Sequence, residues 1–413
     1  MEEDITYSKN DRNFCLVVAF NARPIATSAK KANYDVLAID FFGDLDLRSV
    51  AEHVFSVIRQ RKSHPIKRKF LRPISEYMCL LAETMADDYY GKIKFLLIGS
   101  GFDDEPKIWQ RFGKIAPVIG NTPEIISHSD RLSIYRLASK LGIECPQTIE
   151  VKETEEALEI AKNIGYPIVL TTPRSAGGLF VKLITNLDEL HRAYNELRNS
   201  GKKILIQEFI QGIDASCSVL GTGKDCQAVS VTEQVIGRSE LGVSMPFGYC
   251  GNIVPLKNST TVIDNIKSIS EELGSKLGLL GSNGFDFVIR GDQPYLIELN
   301  PRFQGSLECI EAVTSSNLVK LHIEAFNGNL PEKALESKGY AVKMILYAKK
   351  RIIIPNLSNM PHIVDVPVEG IILEPSNPVC TVFVTGQERE ITIEKAKILA
   401  NNVYRQLIPA PKS

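Results

Sequence analysis

The stretch from Gly284 to Glu308 reads GFDFVIRGDQPYLIELNPRFQGSLE and decides the fold of the region around it. Two apolar runs flank a Gly-Asp turn, a pattern that predicts a β-hairpin. Side chains alternate between the two faces of a strand, so Glu298 and Asn300 point the same way. Asp286 on the partner strand can point with them. The hairpin is therefore predicted to gather three oxygen donors.

Oxygen donors on a rigid sheet suit Mg²⁺, which favours one or two carboxylates together with substrate phosphates. The flanking residues Leu296 and Leu299 imply burial on both faces of the strand, where an unpaired carboxylate costs several kcal/mol. A metal ion bound by Glu298 would offset that cost. The alternative is that Glu298 and Asn300 lie on the solvent face of an ordinary hairpin.

Arg302 follows the proposed metal ligands directly. A guanidinium in this place can stabilise the charge that develops on a transferring phosphoryl group, which makes Arg302 a candidate catalytic residue together with Asn300 and Glu298. The alternative for Arg302 is a salt bridge to Asp286 or Glu308.

The chain from about Ser129 to Gly328 resembles the ATP-grasp superfamily. In its biotin carboxylase-like branches the metal-binding strand commonly reads E-x-N-x-R, and Glu298, Asn300 and Arg302 match that motif. Asp286 fits the upstream metal carboxylate of the family. The resemblance implies an enzyme that uses ATP and Mg²⁺, with Mn²⁺ as the alternative metal.

The resemblance also assigns a nucleotide site. The segment ILIQEFIQGIDASCSV, from Ile204 to Val219, resembles the family's adenine-binding hinge. Asp214 takes the place of the usual ribose-binding Glu, and the loop from Arg174 to Gly178 resembles the flexible flap over the triphosphate. The implied nucleotide-binding residues are Arg131, Thr172, Gly177, Gly178, Lys182, Glu208, Phe209, Ile210 and Asp214.

Two positions depart from the family pattern, which usually has a lysine at each of them to contact ATP phosphates. This chain has Arg131 at the first and Thr172 at the second. Arginine keeps the positive charge, but threonine loses it. Phosphate binding is then either weaker or assisted by Lys182 from the neighbouring strand, and a loss of catalysis is the further alternative.

A second candidate surface is the segment LGVSMPFGYCGNIVP, from Leu241 to Pro255. Its glycines and aromatic residues can shape an acceptor pocket, for which Phe247, Tyr249 and Asn252 are the candidates; a plain turn and core segment is the alternative. Gln304 is a fourth candidate, since the backbone that follows it can place donors near a reacting carbonyl. A helix cap at Ser306 explains that segment nearly as well.

The rest of the chain predicts the architecture. Phe14 to Phe20 and Tyr34 to Asp40 read as buried parallel strands separated by a helix, but the glycines of a dinucleotide fingerprint are missing between them. The fold class is therefore α/β plus α+β. We expect a doubly wound parallel N-terminal domain over residues 1–127, an ATP-grasp domain of two lobes over 128–336, and a small β-rich C-terminal domain over 337–413. The terminal stretches resemble the predicted carboligases related to biotin carboxylase.

Composition narrows the functional class. The 413 residues are 44% hydrophobic and 23% charged, and the net charge of −1 gives no global attraction to nucleic acid or to an anionic membrane. A basic cluster between Gln60 and Arg72 is read as a solvated face, with an anionic partner as the alternative. The eight cysteines form no CxxC pair, which argues against zinc. With no secretory leader and no apolar run of about 20 residues, a cytoplasmic location is expected.

These features together predict an ATP-dependent carboxylate–amine or carboxylate–thiol ligase. It would form an acyl phosphate and release ADP and phosphate. The expected partners are a small carboxylate and an amine, with no nucleic acid and no membrane, and a homodimer is left open. The alternatives are a bicarbonate-activating carboxylase of the same fold and a non-catalytic nucleotide-binding regulatory protein.

Overall fold

The structure is a computed structural model that describes residues 13–58, 60, 72–103, 105–175, 177–178 and 180–411. The basic residues predicted as a cluster between Gln60 and Arg72 lie outside the described residues. Within the described ranges, no helix is both long and apolar enough to cross a membrane.

The N-terminal residues form a parallel sheet with the strand order β3-β2-β1-β4. Its strands are β1 (Phe14–Ala19), β2 (Asp35–Asp40), β3 (His53–Ser56) and β4 (Ile93–Ile98). The helices around it are α1 (Arg23–Lys31), α2 (Leu45–Val50), α3 (Ile74–Asp88), α4 (Pro106–Ile115) and α5 (Pro123–Ser127). Strand β1 is buried at every position, as a sheet covered on both faces requires. The predicted doubly wound α/β class of this part is confirmed.

A small antiparallel sheet follows, in the order β5-β8-β6-β7. Its elements are α6 (Arg131–Lys140), β5 (Thr148–Val151), α7 (Thr154–Ile164), β6 (Ile168–Thr171), β7 (Lys182–Ile184), α8 (Leu187–Arg198) and β8 (Ile204–Glu208). Helix α6 begins where the Asp130 side chain accepts a hydrogen bond from the Ser133 N–H, a cap that satisfies one orphan donor. Apolar side chains of α7 and α8 form a core against one face of this small lobe.

The largest sheet has eight strands in the order β13-β12-β9-β10-β11-β14-β18-β16. They are β9 (Ile213–Thr222), β10 (Cys226–Ile236), β11 (Tyr249–Val254), β12 (Leu280–Arg290), β13 (Gln293–Asn300), β14 (Tyr340–Tyr347), β16 (Ile363–Val364) and β18 (Pro378–Gly386). The short strands β15 (Ile352–Ile353), β17 (Ile372–Leu373) and β19 (Ile408–Pro409) form a separate sheet. The remaining helices are α9 (Thr260–Leu277), α10 (Leu307–Thr314), α11 (Leu318–Phe326) and α12 (Arg389–Gln406), with a 3₁₀ turn at Ser239–Leu241.

The large sheet runs across the predicted boundary at residue 337, because β14 pairs with β11 on one side and with β18 on the other. The N-terminal sheet is joined to the same body by a shared core in which Val17 and Ala26 pack with Phe303, Ile310 and Val319. The three predicted domains therefore share sheets and cores, and their boundaries stay a prediction.

Candidate active site

The site is built on the hairpin of β12 and β13. In its antiparallel ladder Asp286 lies directly opposite Glu298, and Gly284 lies opposite Asn300. Residues that face each other across a ladder project from the same side of the sheet, so Asp286 and Glu298 share a face, and Asn300 joins them by alternation. The Asn300 side-chain amide donates to Asp286 Oδ2 at 2.8 Å. The structure thus brings together the three oxygen-bearing side chains that the sequence placed on one face.

One carboxylate oxygen in this group makes no hydrogen bond of ordinary length. Asp286 Oδ1 is buried without a hydrogen bond, and so is the Ser216 hydroxyl directly opposite it on β9, within the part of the chain that the structure describes. Burial raises the pKa of Asp286, although the nearby Ser216 and Gln234 side chains lower it in part. Burial together with the neighbouring Asp286 carboxylate raises the pKa of Glu298 to about 7, although Arg131 and Arg302 lower it in part. The two arginines thus compensate the carboxylates only partly, and the oxygen left without a hydrogen bond is a hard donor.

A divalent cation such as Mg²⁺ fits this donor set, because it would satisfy Asp286 Oδ1 and reduce the repulsion between the two carboxylates. The described residues contain no group of three or more His, Cys, Asp or Glu side chains that could hold a metal ion. The predicted site has only two such side chains, Asp286 and Glu298, and its third oxygen donor is the amide of Asn300.

Arg131 lies between the hairpin and the small lobe. Its Nη2 donates to Glu298 at 2.9 Å and to the Ser175 hydroxyl at 3.3 Å, and its Nη1 donates to the Thr172 carbonyl at 2.7 Å. Nη1 also donates to the Thr171 hydroxyl at 3.2 Å. With only 5% of its side chain exposed, Arg131 is a buried cation that joins the proposed metal site to the strand end leading into the flap.

The structure shows that Thr171, and not Thr172, directs its hydroxyl to Arg131 at the second position that departs from the family pattern. The Thr172 hydroxyl donates to the Arg174 carbonyl at 2.5 Å, whereas the hydroxyl of Thr171 contacts Arg131. Thr171 therefore faces the site, and sequence reasoning missed it. Lys182 is paired with Glu196 on α8, so in this structure its ammonium contacts that helix and not the hairpin.

Arg302 is held from the N-terminal domain. Its Nε lies 3.0 Å from each carboxylate oxygen of Asp103, which follows β4. Its Nη2 donates to Asn300 Oδ1 at 2.8 Å, and its Nη1 donates to the Phe303 carbonyl at 3.0 Å. The salt bridge considered for Arg302 exists, but its partner is Asp103 and not Asp286 or Glu308. The carboxyl end of β4 is where a doubly wound fold places ligand-contacting residues, a signal that could have identified Asp103.

The predicted flap loop reaches the opposite wall of the cleft. A Cβ atom at Gly178 would lie 2.3 Å from the Phe247 carbonyl oxygen, so the backbone of the loop approaches that residue as closely as only glycine permits. Gly178 and Gly177 both have positive φ, at 83° and 59°. The rings of Phe247 and Phe209 are 6.3 Å apart between centroids. Phe247 therefore lies between the predicted flap and the predicted hinge.

The predicted hinge follows β8. Glu208 ends that strand and pairs with Arg290 at 3.2 Å, and Ile210 is buried. Asp214 lies on β9, where burial raises its pKa to about 6 despite the opposing charge of Arg238. Asp214, Ser216 and Asp286 share one face of the large sheet, because Ser216 pairs with Asp286 and alternates with Asp214.

The candidate acceptor residues lie together, further along the same face. Tyr249 donates a short hydrogen bond to the Asn252 side chain, and Asn252 lies opposite Lys343 in the ladder of β11 and β14. Gln304 donates to the carbonyls of Asn300 and Arg302 at 3.2 and 2.8 Å, which holds the turn after β13. The buried ammonium of Lys343, which sequence reasoning missed, lies 3.3 Å from the Gly305 carbonyl.

Comparison with known proteins identifies the central region. The model of the ATP-grasp domain family matches residues 128–306, which include α6, the flap, the hinge and the hairpin. Residues 128–306 are an ATP-grasp domain. The predicted membership of the ATP-grasp superfamily is thereby confirmed, and the predicted class of enzyme, a ligase, is that of the family.

The similarity to other protein sequences extends beyond the ATP-grasp domain. An uncharacterized protein of Methanocaldococcus jannaschii is 26% identical over 396 residues, covering 95% of this chain and 91% of that protein. The carbamoyl phosphate synthase large chain of Vibrio vulnificus is 25% identical over 294 residues, which are 70% of this chain and 26% of that one. The chain thus spans about a quarter of the length of that synthase.

Solved structures match over nearly the whole length. The biotin carboxylase domain of Hydrogenobacter thermophilus 2-oxoglutarate carboxylase has a TM-score of 0.73 at 18% identity, covering 96% of this chain and 90% of that one. The N5-carboxyaminoimidazole ribonucleotide synthetase of Thermus thermophilus has a TM-score of 0.68 at 15% identity, covering 94% and 98%. The predicted fold, α/β plus α+β with a parallel N-terminal sheet, an ATP-grasp region and β-rich C-terminal elements, is confirmed.

Proposed function

We propose that this ATP-grasp protein is an ATP-dependent ligase that activates a small carboxylate as an acyl phosphate and transfers the acyl group to an amine. The observation that carries the proposal is the buried, unpartnered Oδ1 of Asp286 opposite Glu298. Two carboxylates that share a sheet face and have raised pKa values form a site for a divalent cation that accompanies a nucleoside triphosphate. The related Hydrogenobacter thermophilus domain was solved with MgADP and with bicarbonate.

In the proposed site Asp286, Glu298 and the Asn300 amide hold Mg²⁺, which supplies charge neutralisation on the phosphates when it is bound. The adenine lies at the hinge of Glu208, Phe209 and Ile210, and Asp214 accepts from the ribose. Gly177 and Gly178 bring flap backbone close to the triphosphate.

Arg302 stabilises the reacting phosphoryl group. An arginine has five N–H donors, and the bonds to Asp103, Asn300 and Phe303 use one on Nε, one on Nη2 and one on Nη1. One donor remains on each Nη for the oxygens of the transferring group. A substrate carboxylate oxygen attacks the γ-phosphorus, the bond to the bridging oxygen breaks, and ADP leaves. The amine then attacks the acyl carbon and inorganic phosphate leaves, with the proton passing from the amine to solvent.

Catalysis of this kind depends on position and charge, so it needs no nucleophilic side chain. Tyr249, Asn252, Gln304 and Phe247 line the proposed acceptor side of the cleft. The nearby cations Lys343 and Arg23 are both paired with Glu308 at 2.8 Å, and Arg23 also pairs with Asp365 at 2.6 Å, so this side is polar but has no unpaired cation among these residues.

The second candidate is activation of bicarbonate to carboxyphosphate. Bicarbonate was present in the related Hydrogenobacter thermophilus structure. The chemistry at the phosphoryl group is the same, and only the attacking carboxylate differs.

A screen of phosphate release from ATP tests the proposal. Amino acids, small carboxylic acids and bicarbonate are supplied separately, with and without amines, and hydroxylamine is added to trap an acyl phosphate as a hydroxamate. We expect one carboxylate class to stimulate ADP formation and to give the hydroxamate. Stimulation by bicarbonate alone would favour the carboxylase. Binding of MgADP without turnover on any mixture would overturn the ligase proposal and favour a regulatory nucleotide-binding protein.

A further inference from the structure

Asp103 lies in the N-terminal domain and contacts two parts of the ATP-grasp domain at once. Its carboxylate binds Arg302 Nε through both oxygens at 3.0 Å. Its backbone carbonyl accepts from Nη1 of Arg174, the first residue of the flap loop, at 2.7 Å. Nη2 of Arg174 donates to the Ser127 carbonyl at 2.7 Å. One short segment after β4 therefore contacts both the flap and the proposed catalytic arginine.

The contacts of Arg302 fix the plane of its guanidinium. Asp103 binds Nε, Asn300 binds Nη2 and the Phe303 carbonyl binds Nη1. Each nitrogen of the rigid, planar guanidinium is therefore held by a different partner. The plane in which the two remaining N–H groups lie is then fixed. Of the three partners only Asp103 carries a negative charge, and its side chain is 17% exposed beside the 12% exposed Arg302. The pair is screened weakly by solvent, and its bond is charge-assisted.

The flap is attached to the same segment. Arg174 enters the loop that ends at Gly178, where the backbone packs on the Phe247 carbonyl. When the loop lies in this position, Arg174 also lies against Asp103 and Ser127. The bond from Arg174 to the Asp103 carbonyl therefore ties the start of this loop to the residue that holds Arg302.

We propose that Asp103 is a positioning residue for phosphoryl transfer, which orients Arg302 and is itself held by Arg174 at the start of the flap loop. This inference rests on the proposed function. If the proposed function holds, Asp103 has little effect on nucleotide affinity, which comes from the hinge and the metal ligands. It acts when charge develops on the transferring phosphoryl group, which Arg302 meets with its two free donors.

The test compares two binding measurements on the full chain, the affinity for MgADP alone and for MgADP with aluminium fluoride, a mimic of the transferring phosphoryl group. For the unmodified protein we expect aluminium fluoride to tighten binding at least about tenfold, since transition-state mimics bind better than ground-state ligands. Asp103→Asn keeps the size of the side chain and removes its charge. We expect this variant to keep its MgADP affinity within about threefold and to lose most of the gain, because Arg302 is no longer held through Nε.

The flap contact is tested with Arg174→Met, which leaves Asp103 and Arg302 unchanged. We expect Arg174→Met, like Asp103→Asn, to reduce the gain in MgADP affinity that aluminium fluoride gives. Asp88→Asn and Arg192→Met, which replace exposed residues of α3 and α8, serve as matched controls and should retain the full gain. Combining Asp103→Asn with Arg302→Lys should cost less than the sum of the two single losses, because both act through the same contact.

The outcomes distinguish a failure of the role proposed for Asp103 from a failure of the proposed function. If Asp103→Asn binds MgADP with aluminium fluoride as tightly as the unmodified protein does, Asp103 does not position Arg302 and the inference is overturned. If MgADP affinity and the gain fall together, Asp103 has a general structural role and the inference is again overturned. If the unmodified protein binds MgADP but shows no gain at all, the proposed function itself fails, and the role of Asp103 falls with it.

Discussion

The guanidinium of Arg131 lies 2.9 Å from the carboxylate of Glu298, a residue 167 positions further along the chain. The same side chain binds Thr171 and the carbonyl of Thr172 at the end of β6. One buried cation thus links the proposed metal ligand on the large sheet to the small lobe. Any change at Arg131 should therefore affect both stability and nucleotide binding.

Replacement of Arg131 tests that link. Arg131→Met removes the partner of a carboxylate that keeps 27% of its side chain exposed. We expect a loss of about 2 kcal/mol in the free energy of unfolding at pH 7, less than the roughly 3 to 5 kcal/mol for a fully buried pair. Urea unfolding measures it. Arg136→Met on the exposed side of the same helix is the control, and an equal loss in both variants would argue against the Glu298 contact.

Arg131→Lys separates charge from shape. Lysine keeps the positive charge, but a single ammonium cannot bind Thr171, the Thr172 carbonyl and Glu298 together as the planar guanidinium does. We expect MgADP to bind at least about fivefold more weakly, while the fold is kept. Isothermal titration calorimetry checks this, and an unchanged affinity would show that Arg131 is dispensable for the nucleotide site.

Glu298→Gln tests the metal assignment. The amide keeps the size of the side chain but loses the negative charge that would hold Mg²⁺, so we expect turnover to fall by at least about 100-fold, with the unfolding transition retained. The Mg²⁺ concentration needed for half-maximal ADP binding should rise in parallel. Glu272→Gln on the exposed face of α9 is the control. Normal Mg²⁺ dependence in Glu298→Gln would remove Glu298 from the metal site.

His322 should make the fold sensitive to acid. Burial lowers its pKa from 6.5 to about 4, against the opposing effect of the hydrogen bond between Nε2 and the Ile119 carbonyl. The neutral ring accepts a hydrogen bond from the Ser282 N–H through Nδ1. The unfolded chain takes up a proton near pH 6.5 and the folded chain only near pH 4, so the contribution of His322 is complete above pH 6.5 and is lost as pH falls through this window. At 1.36 kcal/mol per pKa unit the loss approaches about 3 kcal/mol.

The measurement compares the unmodified protein with His322→Asn by chemical unfolding at several pH values from 7 to 4.5. The comparison is needed because buried carboxyls such as Asp40, whose pKa burial raises to about 6, respond to acid in the opposite sense. We expect the stability difference between the two proteins to shrink as pH falls. A difference that is constant with pH would contradict a neutral, buried His322.

The cysteines should be inert. All eight are free, and burial raises the pKa of Cys217 and of Cys226 to about 12, so almost no thiolate exists at pH 8. We expect iodoacetamide to leave the activity unchanged in the native protein and to label these thiols only after unfolding. Rapid inactivation with labelling of one cysteine would contradict a mechanism without a nucleophilic side chain.

The hairpin could be predicted because its information is local. Alternation along one strand and a two-residue turn place Asp286, Glu298 and Asn300 on one face, and the ladder register in the structure agrees. The parallel N-terminal sheet was predictable for the same reason, since apolar runs such as Phe14–Ala19 are recognisable without knowledge of their neighbours.

The rest of the site depends on contacts that sequence patterns do not contain. Asp103 and Arg302 are 199 residues apart, and only the folded chain brings the end of β4 to the hairpin. The choice between Thr171 and Thr172 depends on where β6 ends, and a shift of one residue exchanges the two faces of a strand. Lys182 is turned to α8 by Glu196, a partner that the family pattern does not specify.

The most direct test of the central claim is a crystal structure of the full chain with ADP and Mn²⁺, in which the anomalous signal of manganese locates the metal. We expect one peak at the β12–β13 hairpin, coordinated directly by Asp286 Oδ1 and by Glu298, with the diphosphate completing its ligands. A bound nucleotide whose metal lies elsewhere, or carboxylates of Asp286 and Glu298 that point away from it, would show that the hairpin is not the metal site.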